Sequence, residues 1–500
     1  LRKRCFIKIF QKPKTGVRKI VVATNIAETS VTIDDIRYVM DTGRQKEMRY
    51  DSQRGLSCLE DCWVSKAQAK QRRGRAGRTT PGACFRLFSR SQFAHLEKTQ
   101  APEMLRTPLQ SLVLNIKSMA PESGTAKQIL ALALTPPEES ALDIAVQELK
   151  DLKAMATENN EEVITPLGKH LTHMPCDPRL GKMLVYASLL GCLDPMLTIA
   201  SAMTGRPLFF SPKDNREDAD RKKRAFSVGK SDHLAIVNAF DGWLNAKKNG
   251  GRSAERRFCD ENYISSQALE AVAQSRVDFA QILSDLGFVS REYAHSVKRF
   301  GRARDDPART TTSKNGINVK DDCDVNSSVS RIIKAALVAG MYPKICRIQP
   351  PPPKYSKTIG GAVEKMASGR EMKYYSQDVG RVFLHPTSVN FNVGKYESTW
   401  LAYGDRVQTA KVFIRDCTMV GSWPLLLFGG KLEVKHEQGK IVIDDWCEFN
   451  APAKIGVLAR ELRNKIDQLL INKVNSPDFQ ISQENPVIIA LMQIIQSEGY

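Results

Sequence analysis

Between residues 71 and 78 the chain reads QRRGRAGR. On a helix Gln71, Arg75 and Arg78 stand at i, i+4 and i+7, and so share one face. Two guanidinium groups and an amide on one stripe suit a site that grips a terminal phosphate, orients a water and stabilises spreading negative charge. Gly74 and Gly77 inside such a helix each cost roughly 1 kcal/mol relative to alanine, so the backbone there is expected to approach something closely. A solvated basic face that binds nucleic acid without turnover would read the same way, and this stripe alone does not separate the two.

A second string, ATNIAETSVTIDDI at 23–36, follows the apolar run at 20–23. Its hydroxyls, amide and backbone N–H groups, set at the end of a strand, are suited to phosphates of either RNA or a nucleotide. Asp34 is suited to accept hydrogen bonds from a ribose. Alone it reads as loop and turn; followed shortly by QRRGRAGR, it becomes highly specific.

Other chemistry-like strings reduce to structure. GKS at 229–231 invites a phosphate-loop reading, but the pattern G-x-x-x-x-G-K-S requires glycine at 224, where the chain has Arg224. Ser231 reads instead as the cap of a helix. His170, His173 and Cys176 imitate a ligand cluster, yet they fit polar residues where a helix ends before Pro175. Cys58 and Cys62 form a close pair with no second pair or histidine at zinc spacing. The cluster RKKR at 221–224 reads as a solvated face, with Glu217, Asp218 and Asp220 beside it.

The chain has 500 residues, 42% hydrophobic and 26% charged, which excludes wholesale disorder and suggests several domains. A formal net charge of +19 raises the expectation of a polyanionic partner. Residues 1–92 hold 21 Lys and Arg against 8 Asp and Glu, so that segment is where phosphate chemistry is expected. Eleven cysteines without a framework indicate a reducing compartment. No window of 18 uninterrupted apolar residues occurs, so no membrane span is expected. The nearest stretch is broken at Asp194-Pro195, a helix cap and first-turn proline.

These residues need elements to hold them. Strands at 20–23 and 36–41 argue for a parallel sheet with function at its C-terminal ends. Residues 44–64 read as a β-hairpin with a turn at 51–55. Ser65 with Gln68 forms a capping box for the helix that carries QRRGRAGR to about Thr79. From Pro102 to Glu292 the periodicity is helical, with a strand-like piece in VITPLGKHL that suits a small winged module. Residues 293–328 read as a flexible basic insertion. After a helix at SRIIKAALVAGM, the strings RVFLHPTSVNF, STWLAYGDRVQ, TAKVFIRDCTMV, PLLLFGG and KIVIDDW read as strands of a small barrel. On that barrel Tyr374, Tyr375 and Phe413 are either core or a base-stacking platform. Residues 454–474 return to helix.

The two strings together resemble motifs V and VI of superfamily-two RNA helicases, in the DEAH/RNA-helicase-A-like (DExH-box) branch. The likeness continues through GACFRLF, PEMLRTPLQSLVLNIK, TPLGKHL, PRLGKML, HPTSVNF and LLLFGG. It implies a multidomain fold: an α/β RecA-like domain with a partial parallel sheet, then winged-helix and helical ratchet-like domains, then a β-barrel OB-like domain. The implied boundaries are 1–100 for the second RecA-like domain and 101–172 for the winged helix. They continue with 173–292 for the ratchet, 293–328 for the insertion, 329–450 for the OB fold and 451–500 for a helical extension. By the same resemblance Phe10 stacks on adenine, Thr32 and Asp34 hold the nucleotide, and Gln71, Arg75 and Arg78 are the γ-phosphate sensor and arginine fingers. Thr24 and Asn25 touch the RNA backbone.

The implied activity is ATP-dependent 3′–5′ unwinding of RNA, with ATP and Mg²⁺ as cofactors, RNA as partner and no membrane role. The cytoplasm is the favoured location, ahead of the nucleus. Neither a P-loop nor a DExH box occurs in these 500 residues. The chain is therefore expected to be the C-terminal half of a helicase, beginning inside a domain and inactive by itself. The alternative is a non-catalytic RNA-binding scaffold of the same ancestry.

Overall fold

A computed structural model describes residues 9–29, 33–51, 56–120, 124–158, 161–174, 176–306, 323–358, 361–365, 369, 371–476, 479 and 485–497. The chain divides into two compact units, 1–108 with 134–137, and 109–133 with 138–500.

The first unit opens with a one-turn helix α1, Ile26–Thr29, followed by β1, Tyr38–Asp41. A hairpin follows, β2 Arg44–Asp51 and β3 Leu56–Trp63, with Arg44 opposite Trp63. Its turn at 52–55 lies outside the described residues. Ser65 then caps α2, Lys66–Arg73. Its hydroxyl accepts from the Gln68 backbone N–H (3.2 Å), and the Gln68 side-chain oxygen accepts from the Ser65 N–H (3.0 Å). The capping box is therefore present with both arms.

The α-helix stops at Arg73 and tightens into a 3₁₀ turn at Gly74–Gly77. Then β4, Ala83–Arg86, pairs in parallel with β1 in the register Tyr38 to Ala83 and Asp41 to Arg86, and α3 follows at Arg90–His95. Val64, Ala69 and Leu96 form the small core, with Phe88 and Phe93 packed against it. Gly43 has φ +70°, and an added Cβ would lie 2.7 Å from the Phe88 ring, so this corner requires glycine.

The run at 20–23 is not a strand: Ile20 is 80% and Val22 95% exposed. A parallel strand is buried only between neighbours, and among the described residues the parallel sheet contains β1 and β4 alone.

The second unit begins with α4 Gln110–Met119, α5 Ala126–Ala131 and α6 Glu139–Asp151. The short hairpin β5 Met155–Glu158 and β6 Glu161–Ile164 leads into α7, Pro166–Thr172, capped by Thr165. Then α8 Pro178–Leu189 and α9 Leu193–Thr204 pack almost wholly buried. Asp194 lies in the first turn of α9, and Cys192 takes the cap position. The Asp194 carboxylate accepts from the fully buried Arg276 guanidinium at 2.5 Å. Next come α10 Arg216–Phe226, α11 Asp232–Glu261 (broken at Gly251, φ +61°), α12 Ser266–Asp285 and α13 Arg291–Phe300.

Helix α13 corrects the expected flexible stretch from 293: Tyr293, Ala294 and Val297 are buried on one face, although polar residues dominate the composition. Residues 307–322 of that stretch lie outside the described residues. Helix α14, Ser330–Met341, packs on α8 so closely that a Cβ at Gly340 would meet Met183 at 2.3 Å.

Five strands close a barrel: β7 Ile345–Gln349, then β10 Lys373–Ser376, β11 Gly380–Leu384, β12 Trp400–Gln408 and β13 Val412–Val420. The order is β13-β11-β10-β7-β12, and β12 pairs back to β13. A separate ribbon, β8 Lys354–Thr358 with β9 Gly361–Lys365, leaves between β7 and β10.

PLLLFGG is not a strand but helix α15, Ser422–Phe428. An unbroken apolar run does not distinguish strand from helix, and Pro424 in the first turn favours the helix. KIVIDDW supplies β15, Lys440–Ile443, which lies outside the barrel between β14 Leu432–Lys435 and β16 Cys447–Asn450. Helices α16 Ala453–Asn475 and α17 Pro486–Ser497 end the chain.

GKS joins the helices to the barrel. Ser231 caps α11 through the Leu234 N–H at 3.0 Å, and its hydroxyl meets that of Thr418 at 2.7 Å. Asp232 is fully buried, yet its carboxylate accepts from Lys223 (2.8 Å), Val389 N–H (3.0 Å), Cys417 N–H (2.9 Å) and Ser388 (2.5 Å). Lys223 thus turns inward, so the basic cluster at 221–224 is not wholly a solvated face.

Burial would raise the Asp232 pKa, but Lys223 and the hydrogen bonds hold it below the ordinary aspartate range. Its stabilisation is therefore present above the unfolded carboxylate value of about 3.9 and is lost as pH falls through the folded one. Asp232→Ala is expected to lower stability at pH 7 by about 3–5 kcal/mol, since Lys223 is left buried without its partner. Urea unfolding of the variant checks this; an unchanged midpoint would show that the junction contributes nothing.

Candidate functional site

The site is built around an arginine that the helical stripe leaves aside. Arg72 points inward from α2. Its Nε donates to the Glu28 carboxylate at 3.0 Å, and one Nη donates to Asp41 at 3.0 Å and to the Arg44 carbonyl at 3.2 Å. Glu28 and Asp41 are both buried. One guanidinium therefore neutralises two acids, one on α1 within the TNIAETS string and one at the C-terminal tip of β1. Asp41 also accepts from the Gly43 N–H at 2.9 Å, which sets the corner into β2. A lysine would offer a point charge with no fork to span both acids.

With Arg72 turned in, the helical rotation of roughly 100° per residue carries its neighbours to the outside. Gln71 is exposed, Arg75 half-buried and Arg78 exposed. The expected stripe is bent, because Gly74–Gly77 is 3₁₀ rather than α-helical. A Cβ at Gly74 or Gly77 would meet nothing within 4 Å, so the close approach expected there is not made by this chain's described atoms. It occurs at Gly82, where a Cβ would lie 1.9 Å from the Ala76 carbonyl and 2.4 Å from that of Arg37.

Arg75 is the strained member. Burial and then the charge of Arg78 hold its pKa below the ordinary guanidinium value, with Glu28 opposing. One of its Nη atoms is buried with no hydrogen-bond partner among the described residues. Two like charges beside one another, with that one Arg75 donor unspent among the described residues, are suited to a polyanion, which would relieve the repulsion.

Two further bonds gather the other candidates. The Thr79 hydroxyl donates to the Asp34 carbonyl at 2.5 Å, tying the segment just after Arg78 to Asp34. Lys19 donates to the Ile9 carbonyl at 2.8 Å and pairs with Asp35 at 2.6 Å, drawing the neighbours of Phe10 and of Asp34 together. Asp34 and Phe10 are exposed. Thr24 and Asn25 lie exposed at the start of α1, their carbonyls accepting from the N–H groups of Ala27 (3.2 Å) and Glu28 (2.9 Å). Thr32 lies outside the described residues.

Sequence reasoning gave Glu28 and Arg72 no role. The available signal was an acid and a base inside the two strings, with Arg72 off the stripe. The hairpin has its own anchor: the buried Glu47 carboxylate accepts from Arg106 at 3.0 Å and from Gln100.

Elsewhere, His170 packs edge-on against Phe288 (5.7 Å), and His173 Nδ1 lies 2.9 Å from the Lys169 carbonyl. Desolvation of the half-buried Cys176 thiol pushes its pKa up to about 12. Tyr374 is barrel core, its hydroxyl 3.2 Å from that of Tyr396.

Comparison with known proteins follows the same order. Residues 4–80 match the helicase conserved C-terminal domain, and 177–236 match the helicase-associated (HA2) ratchet-like domain. Residues 333–432 match the oligonucleotide/oligosaccharide-binding fold, and 439–497 match a C-terminal domain found in RNA helicases. The chain is 38% identical over 95% of its length to the human putative ATP-dependent RNA helicase DHX57. It is 37% identical over 98% to the bovine ATP-dependent DNA/RNA helicase DHX36, and 36% identical over 98% to a putative DEAH-box ATP-dependent helicase of Mycosarcoma maydis. It spans 34%, 45% and 32% of those proteins' lengths, respectively.

Arg72→Lys and Arg72→Ala are both expected to destabilise the first unit, the alanine by about 3–5 kcal/mol because two carboxylates are left buried. Hydrogen exchange at the α2 amides reads this unit separately. Unchanged protection in Arg72→Ala would show that the clamp does not hold α2.

Proposed function

We propose, for a chain that carries the C-terminal half of a DExH-box helicase, that it supplies one wall of an ATP site and most of the grip on a translocating RNA strand. Residues 1–100 act as the second RecA-like domain, with a winged helix at 101–172, a ratchet at 173–292, an OB fold at 329–450 and a helical extension at 451–500. The P-loop and the acidic box act from outside these 500 residues. Mg²⁺ held by residues outside these 500 would, when bound with ATP, supply charge neutralisation at the phosphates.

In this reading Arg75 and Arg78 meet the γ-phosphate, where charge spreads over the equatorial oxygens in the transition state. Gln71 orients the attacking water. Asp34 accepts from the ribose, Thr32 contributes beside it, and the Phe10 ring stacks on the base. Thr24 and Asn25 hold RNA phosphates.

One observation carries the proposal. Arg72 joins α2, which bears Gln71, to α1, at whose start Thr24 and Asn25 stand. A change at the phosphate end is therefore transmitted through a buried ion pair to the RNA end, rather than through solvent. Translocation 3′ to 5′ on RNA, with unwinding aided by the hairpin at 44–64, is the coupled output. The cytoplasm is the proposed location, ahead of the nucleus.

In a protein that also bears the P-loop, Arg78→Ala is expected to reduce RNA-stimulated ATP hydrolysis by about 10³-fold or more while RNA affinity stays within a few-fold. The 500-residue chain alone should bind single-stranded RNA and turn over no ATP. Steady-state phosphate release checks both, and unchanged turnover in the variant would refute the finger role.

A further inference from the structure

Within residues 11–20 every residue but Lys19 is exposed. An ammonium has three N–H donors, and that of Lys19 meets three acceptor groups. It donates to the Ile9 carbonyl at 2.8 Å, to the Gln11 carbonyl at 3.2 Å and to the Asp35 carboxylate at 2.6 Å. Ile9 and Gln11 flank Phe10, whose ring is half exposed, and Asp35 follows the exposed Asp34. One nitrogen therefore joins the turn that carries Phe10 to the turn that carries Asp34.

The chain reverses so that Lys19 can reach back. The Val17 N–H donates to the Lys14 carbonyl at 3.0 Å, closing a four-residue turn. Gly16 stands third in that turn with φ +81°, a conformation that glycine supplies without a Cβ penalty. A second tie reaches the same place from another segment. Thr79, the residue after Arg78, donates its hydroxyl to the Asp34 carbonyl at 2.5 Å. Residues 34 and 35 are thus held from one side by the Phe10 turn and from the other by the end of the arginine string.

These ties lie outside the apolar cluster of Val64, Ala69 and Leu96 on which the unit is packed. An ion pair between surface turns contributes little to folding. Its effect is on order: a ring and a carboxylate on two separate turns would each have to be immobilised when a ligand arrives, and a clamp already in place removes that cost from binding. A compact ammonium suits three acceptors converging from different directions better than a planar fork does.

We propose that Lys19 is a positioning residue for the nucleoside half of the site, fixing the Phe10 turn against the Asp34 turn so that base and ribose meet one preassembled surface, which Thr79 keeps in register with Arg78. The inference rests on the ATP-site reading above and adds to it a residue that touches neither base nor phosphate. Because Lys19 acts at the nucleoside end, its loss weakens ATP and ADP alike and leaves the chemistry at the γ-phosphate in place.

The test uses a protein that also bears the P-loop. Lys19→Met keeps the apolar stem and removes the donors. It is expected to raise KM for ATP and Kd for ADP by a common factor of about 10, as for one lost charged hydrogen bond, with kcat at saturating ATP within about two-fold. Lys19→Arg, which still donates to carbonyls and carboxylate, should recover most of that affinity. The preference for ATP over 2′-deoxy-ATP should narrow in Lys19→Met and in Thr79→Val, whereas inhibition by inorganic tripolyphosphate, which has no nucleoside, should not move. In the unaltered protein without nucleotide, acetic anhydride should label Lys19 more slowly than the exposed Lys12 and Lys14. Labelling of all three at one rate would overturn the clamp. So would unchanged nucleotide affinity in Lys19→Met, or a loss of tripolyphosphate inhibition and kcat in step with it. If Phe10→Ala and Asp34→Ala weaken ATP and ADP while Lys19→Met does not, the positioning role falls and the ATP site stands. If those two variants also leave nucleotide affinity unchanged, the ATP-site reading falls with it.

Discussion

The first unit depends on one guanidinium that bridges two buried carboxylates. Glu28 and Asp41 lie 13 residues apart on different elements, and neither tolerates burial as an anion without compensation. Arg72 satisfies both and the Arg44 carbonyl as well, so α1, the tip of β1, the start of β2 and α2 share one fixed point. Its direction decides what the rest of the helix can do. Because Arg72 is inside, Gln71 is outside, and Arg75 is caught between, partly buried beside a like charge. The chemistry of the outer face is thus a consequence of an electrostatic demand on the inner one.

The second unit solves a similar problem at Asp232. Four hydrogen-bond donors, drawn from α10, the segment after β11 and strand β13, converge on this carboxylate. His233 adds a bond to Thr418 at 2.7 Å, and burial keeps its imidazole neutral, with a pKa near about 4. This buried carboxylate thus ties the start of α11 to α10 and to barrel residues 388, 389 and 417. The string GKSDH, which imitates a phosphate loop, supplies this joint.

Local signals were legible where all of their partners lie within a few residues. The Ser65–Gln68 capping box, the hairpin at 44–64, the cap at Ser231 and the long helices at 232 and 453 all follow from spacing of three to seven residues. Failures occurred where the outcome depended on distant neighbours. Residues 20–23 have strand composition but no adjacent strand among the described residues, so Ile20 and Val22 face solvent. The run at 424–427 is apolar throughout and carries no period; its first-turn proline and the packing around it select the helix. Residues 293–300 look polar in sum, yet their three apolar positions fall on one helical face. The barrel was visible as a series of strands, but which strands close it was not, since β15 has the same composition and joins another sheet.

The order of the helicase C-terminal, ratchet-like, OB-fold and C-terminal segments is a property of the sequence itself, because the strings that mark them are dense and contiguous. Tertiary structure alone decided which charges turn inward. Arg72 meets acids 44 and 31 residues away, and Lys223 and Asp232 meet a barrel more than 150 residues on. Periodicity describes a helix surface only to about one turn in either direction. Whether an arginine on that surface becomes a buried clamp or an exposed finger depends on which carboxylates the fold brings beneath it, and that pairing exists only once the chain has closed on itself.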